Sequence, residues 1–239
     1  MLGIIVELAV SWVLLWLFEK KHLSALGLIP NKRRILQFVL LFVLAGICCT
    51  SGYLMRMFYG ERWKINPSVT FSQMLQALRW NVISVLYEEL IFRGAILYIL
   101  IKRLGAVWGI VLSSIAFGIY HWFSFGILGN IPGMIQVFLI TGAMGLVLAY
   151  AYWKTWSIYA AIGIHLGWNF VTMAIFSSGT IGNQLLVQIP TASVKVSYFE
   201  YGIVVFLPMI SVLLISFLLL RKMRDTRVLP IENEGLNIR

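Results

Sequence analysis

Three charged side chains sit where an apolar chain can least accommodate them. Glu88, Glu89 and Arg93 fall near the middle of a hydrophobic run, and apart from Glu7 no other acidic residue of the nine is so placed. An ionised group at the centre of a membrane helix costs about 2.5–3.5 kcal/mol on insertion scales, so such a cluster is by default a functional site whose partners must be found. Helical geometry turns Glu88 and Glu89 about 100° apart. Glu89 and Arg93 are an i, i+4 pair with the acid nearer the N-terminus, an order that suits mutual neutralisation. Glu88 has no such neighbour and is the candidate general base. The remaining polar groups within apolar runs are His121, His165 and, one helical turn after His165, Asn169. His22 lies beside a basic cluster and carries no chemical expectation. A carboxylate, two imidazoles and an amide can hold a divalent metal, or they can activate a water and stabilise an oxyanion without one. No His-Glu-x-x-His helix or Gly-x-Ser-Gly nucleophile is present, and the one aspartate, Asp225, lies outside every apolar run. Water is therefore the expected attacking group.

The elements that must position these residues are membrane helices. Hydrophobic residues make up 60% of the 239 and charged residues 12%, against about 45–50% and 25% in soluble domains. With a mean hydropathy of +0.89, too little polar surface exists to cover a water-soluble particle. Soluble enzymes, disordered tails and nucleic-acid-binding domains are excluded, and the net charge of +10 reads as topology and headgroup contact. A crossing needs about 20 apolar residues. Seven runs qualify, at 2–18, 35–55, 74–101, 106–125, 134–153, 155–176 and 199–220, so the expected fold is all-α and polytopic, with seven to eight crossings around a buried polar site. The runs are too long and too uniformly apolar for barrel strands. With the N-terminus outside, thirteen Lys and Arg fall on the inner side and four on the outer. That bias predicts a multi-pass protein with a cytoplasmic C-terminus; a prokaryotic cell membrane is the expected location. A single domain is expected over 1–239, with a charged tail at 221–239. Cys48 and Cys49 are read as inert buried thiols. Counted from the inner basic anchors at about 1.5 Å per residue, Glu88, His121 and His165 lie about 22, 27 and 16 Å deep, close enough to share a layer with Asn169.

At these residues the chain resembles the CPBP intramembrane proteases, the CAAX-protease and bacteriocin-processing (Abi) family. The Glu-Glu-x-x-x-Arg motif appears as Glu88-Glu89-Leu90-Ile91-Phe92-Arg93, followed by Gly94. Phe-x-x-x-His appears as Phe117 to His121, and His-x-x-x-Asn as His165 to Asn169, in family order and on separate runs. The resemblance covers about residues 74–176. It implies an intramembrane endopeptidase acting on a membrane-associated protein or peptide, with Glu88 and His121 polarising the water, His165 and Asn169 binding the oxyanion, and Glu89 and Arg93 in support. It also leaves open whether Glu88, His121 and His165 ligate a zinc ion or work without metal, and whether the substrate is prenylated.

Plainer readings stand beside this one. Glu89 and Arg93 can serve only to stabilise a helix, each histidine alone can be a bonded core residue, and Phe117 is read as packing. Gly142, Gly145, Gly163 and Gly167 suit close helix approach. A proton-coupled carrier is the rival from another class, although no internal repeat is visible. An inactive relative acting as a membrane scaffold is the third.

Overall fold

The computed structural model of the chain describes residues 2–176, 185–189 and 197–223. Lys195 and the expected charged tail from residue 224 onward lie outside the described residues. The protein is an all-α polytopic membrane protein. Its helices are α1 (Leu2–Glu19), α2 (Lys32–Phe58), α3 (Phe71–Arg93), α4 (Ala95–Leu104), α5 (Ala106–Ser124), α6 (Ile131–Thr155), α7 (Ile158–Phe170) and α8 (Tyr198–Lys222). Starts are written in the sequence as caps. The Asn31 side chain accepts from Arg34 N–H, Thr70 and Gln73 form a reciprocal capping box, and Ser197 does the same with Glu200.

Among the described residues, six helices are long and apolar enough to span a bilayer: α1, α2, α5, α6, α8 and α7 with its continuation to Ile175. Large apolar side chains such as Val43, Val107, Leu139 and Leu214 point outward on them, which is the surface a lipid solvent covers. The third expected run is not one helix. It breaks at Gly94 into α3 and the short α4, because Gly94 takes φ −82° and ψ −138°. A Cβ on Gly94 would overlap the Leu90 carbonyl oxygen. Hydropathy averages over such a break. The seventh long helix, α3, carries the charged cluster and is not among the six.

The centre is built on close backbone approach. A Cβ on Gly163 would sit 2.6 Å from the Phe38 carbonyl oxygen, and one on Gly167 would overlap that of Phe42, so α2 and α7 meet where only hydrogen fits. Gly145 lets α6 reach α5, where its Cβ would lie 3.0 Å from Ser114 Cα. Leu41, Ala45, Leu148, Ala160 and Ile164 fill the seam between α2, α6 and α7. At the basic end, the connection between α1 and α2 folds back as a short 3-10 turn (Leu23–Leu26). It is fastened there by Ser157 Oγ donating to the Gly27 carbonyl at 3.0 Å and Tyr159 Oη to that of Leu28 at 3.1 Å. At the opposite end β1 (Arg62–Ile65) pairs antiparallel with β2 (Leu186–Ile189), Arg62 opposite Ile189. This four-residue ribbon was not expected from the sequence; its strands are too short to show a period.

Candidate functional site

Glu88, Glu89 and Arg93 occupy the last turns of α3, His121 the last turn of α5 and His165 the middle of α7. All five are buried. Helices α3, α5 and α7 are far apart in sequence, yet their polar side chains converge on one point. Glu88 Oε2 lies 3.8 Å from His121 Nε2 and 3.7 Å from His165 Nε2. Both separations are too long for a direct hydrogen bond, and they suit a small molecule such as water bridging the three groups. Glu88 Oε2 has no hydrogen-bond partner among the described residues.

Hydrogen bonding sets the chemistry of both rings. His121 Nδ1 is 2.8 Å from the Phe117 carbonyl oxygen, which can only accept, so that nitrogen carries a proton. His165 Nδ1 is 2.8 Å from Glu89 Oε1, which fixes the second ring the same way. In each neutral imidazole the Nε2 lone pair is then left facing Glu88. The i, i+4 spacing from Phe117 to His121 brings the imidazole over the carbonyl one turn back, which gives the Phe-x-x-x-His pattern a physical meaning. Phe117 does more than fill space: its ring also lies 4.2 Å from the Arg93 guanidinium and edge-on to His121 with centroids 4.5 Å apart.

The expected Glu89–Arg93 pair forms, Arg93 Nη1 donating to Glu89 Oε1 at 3.2 Å, both side chains fully buried. Arg93 Nη2 also donates to the Gly145 carbonyl at 3.4 Å, tying α3 to α6. What the sequence reading missed is that Glu89 holds His165 as well. Two glutamates 100° apart on one helix do not share a face, but an imidazole lying between them offers a nitrogen to each. Only the placement of α7 reveals this. Asn169 is half-buried on α7, and its side chain makes no hydrogen bond among the described residues; its backbone carbonyl accepts from Thr172 Oγ1 at 3.3 Å. The structure thus joins Glu88, Glu89, Arg93, His121 and His165 directly, and leaves Asn169 one turn along.

Two carboxylates face one guanidinium in this pocket, so a proton or cation held among Glu88 and the two imidazoles completes the charge balance. Glu88, His121 and His165 are donor types that zinc accepts, and their Nδ1 bonds are the outer partners typical of such ligands. As arranged, however, no group of three or more His, Cys, Asp or Glu side chains among the described residues is set to hold a metal ion.

The stretch from Thr70, the cap of α3, to Val171 at the end of α7 contains every one of these residues. Residues 70–171 match the family model described as type II CAAX prenyl endopeptidase Rce1-like. That segment, somewhat under half of the chain, is similar to this family. No curated protein and no solved structure matches the chain. The matched segment begins at the cap of α3 and ends just after α7, so it takes in all three helices that carry the polar cluster.

Proposed function

We propose that this protein is an intramembrane endopeptidase that hydrolyses a peptide bond of a membrane-associated protein or peptide with a water activated by Glu88 and His121. The observation that carries the reading is the meeting of Glu88 Oε2 with the Nε2 atoms of His121 and His165 at 3.8 and 3.7 Å inside the bundle. Glu88 accepts a proton from the water as its oxygen bonds to the carbonyl carbon, while the His121 Nε2 lone pair orients that water. The carbonyl π electrons move to oxygen. The proton held among Glu88 and the two imidazoles in the resting site sits on His165 Nε2 at this stage, which makes that ring a donor toward the oxyanion, with the Glu89 carboxylate at its Nδ1. Asn169, one turn along the same helix face, supplies the second donor. The proton held by Glu88 passes to the leaving amine as the carbon–nitrogen bond breaks. Glu89 and Arg93 position His165 and do not touch the substrate. The N-terminus lies outside and the C-terminus in the cytoplasm.

The test is cleavage of a fluorescent S-farnesyl peptide ending Cys-aliphatic-aliphatic-X by purified protein in proteoliposomes, alongside comparison of membrane proteomes with and without Glu88. Glu88→Ala, His121→Ala and His165→Ala each abolish turnover, and an uncleaved precursor accumulates in cells carrying Glu88→Ala. Full turnover by folded Glu88→Ala protein overturns the assignment. Protease protection of terminal tags checks the orientation.

A further inference from the structure

Seven residues before Glu88, and so on nearly the same face of α3, Asn81 is fully buried with neither carboxamide atom hydrogen-bonded among the described residues. Leaving a buried donor and acceptor unmet costs about 1–3 kcal/mol each, and an apolar residue of the same shape would avoid that cost entirely. Val85, one turn from Asn81 on that face, is apolar and buried as the core requires. An amide at 81 is therefore retained against stability.

Its position indicates what it meets. Helices α3 and α7 run antiparallel: β1 leads into α3, β2 follows α7, and the two strands pair, so the start of α3 and the end of α7 lie at the same end of the bundle. Moving seven residues back from Glu88 corresponds to moving forward along α7 from His165, past Asn169, to a level of about residue 172. There α7 widens into a single π-helical turn (Val171–Ile175), a distortion that recurs at functional sites. Asn81 and Asn169 thus lie along one seam that begins at the catalytic cluster. The seam runs toward the end of the bundle where α3 loses its neighbours: Phe71 and Leu75 are exposed there. Seven helical residues cover about 10.5 Å, the length of about three residues of extended chain.

We propose that Asn81 binds the main chain of the peptide substrate about three residues from the scissile bond, donating to a backbone carbonyl and accepting from a backbone N–H as α3 and α7 part to admit it. A carboxamide is the side chain whose donor and acceptor complement those of a peptide group. The inference rests on the endopeptidase reading in requiring a peptide in this seam, and it assigns Asn81 to binding and not to the chemical step.

The experiment compares wild type with Asn81→Leu, an apolar near-isostere, and with Asn81→Ala. Thermal unfolding is measured in detergent and kcat and KM in proteoliposomes, using the same S-farnesyl peptide. Asn81→Leu should unfold at or above the wild-type temperature, with KM raised about tenfold and kcat within twofold, as expected for two hydrogen bonds of ordinary net worth. Asn81→Ala should share the KM defect whatever its stability, so a folding failure of the leucine variant leaves the question decidable. A second arm measures binding of the labelled peptide in a Glu88→Gln background, where Asn81→Leu should weaken affinity about tenfold. Unchanged KM in active Asn81→Leu and Asn81→Ala proteins refutes the role of Asn81 while leaving the protease reading intact. Asn81-dependent binding without cleavage by the wild type supports the peptide seam and removes the protease reading. A lowered unfolding temperature with wild-type kinetics and binding shows Asn81 to be structural, and overturns the inference.

Discussion

The double hold on Glu89 makes a prediction in which stability and activity separate. Arg93 is fully buried, and apart from Glu89 its neighbours include the Gly145 carbonyl at 3.4 Å and the face of Phe117 at 4.2 Å. Glu89→Leu leaves that guanidinium without its hydrogen-bonded counter-charge. Breaking one side of a buried pair costs about 3–5 kcal/mol, a large share of the roughly 5–15 kcal/mol by which most domains are stable. Removing the charge as well, in Glu89→Leu with Arg93→Met, returns most of that loss, since well-packed apolar replacements of a buried pair are often neutral. If Glu89 served only to neutralise Arg93, the double variant would also recover its activity. The bond from His165 Nδ1 at 2.8 Å predicts otherwise: the ring has lost the acceptor that sets its tautomer and angle. Turnover per folded molecule should remain about 10–100-fold down, the loss typical when a functional histidine loses its outer partner. Thermal unfolding in detergent gives the first quantity and kcat/KM normalised to folded protein the second. Wild-type turnover in the stable double variant would refute the orienting role of Glu89.

Other consequences are simpler to read. His121→Ala should lower turnover by about 10²–10⁴, the usual worth of a positioned acid or base, with the helical circular dichroism signal retained. Gly167→Val should abolish folded yield because α2 has no room at the Phe42 carbonyl, whereas Gly202→Val, with nothing within 4 Å, should be silent. Gly94→Ala should cost more than about 2 kcal/mol in thermal unfolding, as a methyl there meets the Leu90 carbonyl at the α3–α4 break. Tyr159→Phe removes the bond to Leu28. It should lower stability by about 0.5–1.5 kcal/mol and leave kcat/KM unchanged.

Hydrophobic length was enough to read most of the helices, because it is a near-local property. The glycine contacts were legible for the same reason: Gly163 and Gly167, four apart, place a smooth strip on one face of α7. The break at Gly94 was not, since a glycine in an apolar run is compatible with a continuous helix until its surroundings are known. At the site, residue type and separation identified Glu88, His121 and His165 as a set. They could not reveal that Glu89 bonds the imidazole that Glu88 faces, or that the Phe117 carbonyl fixes the other, because those facts depend on rotamers and on the placement of α7. Asn81 escaped notice altogether. In sequence it is one asparagine ahead of a charged motif, and only its burial without a partner distinguishes it.

The folded-back connector at the basic end bears on how such a protein can exist without harming its host. Beyond Glu88 in that direction come Leu90, Leu97, Ala149, Tyr152 and Ile158, and then Leu15 and Leu26 beneath the connector. Among the described residues, these side chains form a largely apolar layer between the polar centre and that end of the bundle. On the proposed hydrolytic reading, such a layer would let a membrane carry the reaction midway through its thickness and still hold its electrochemical gradient.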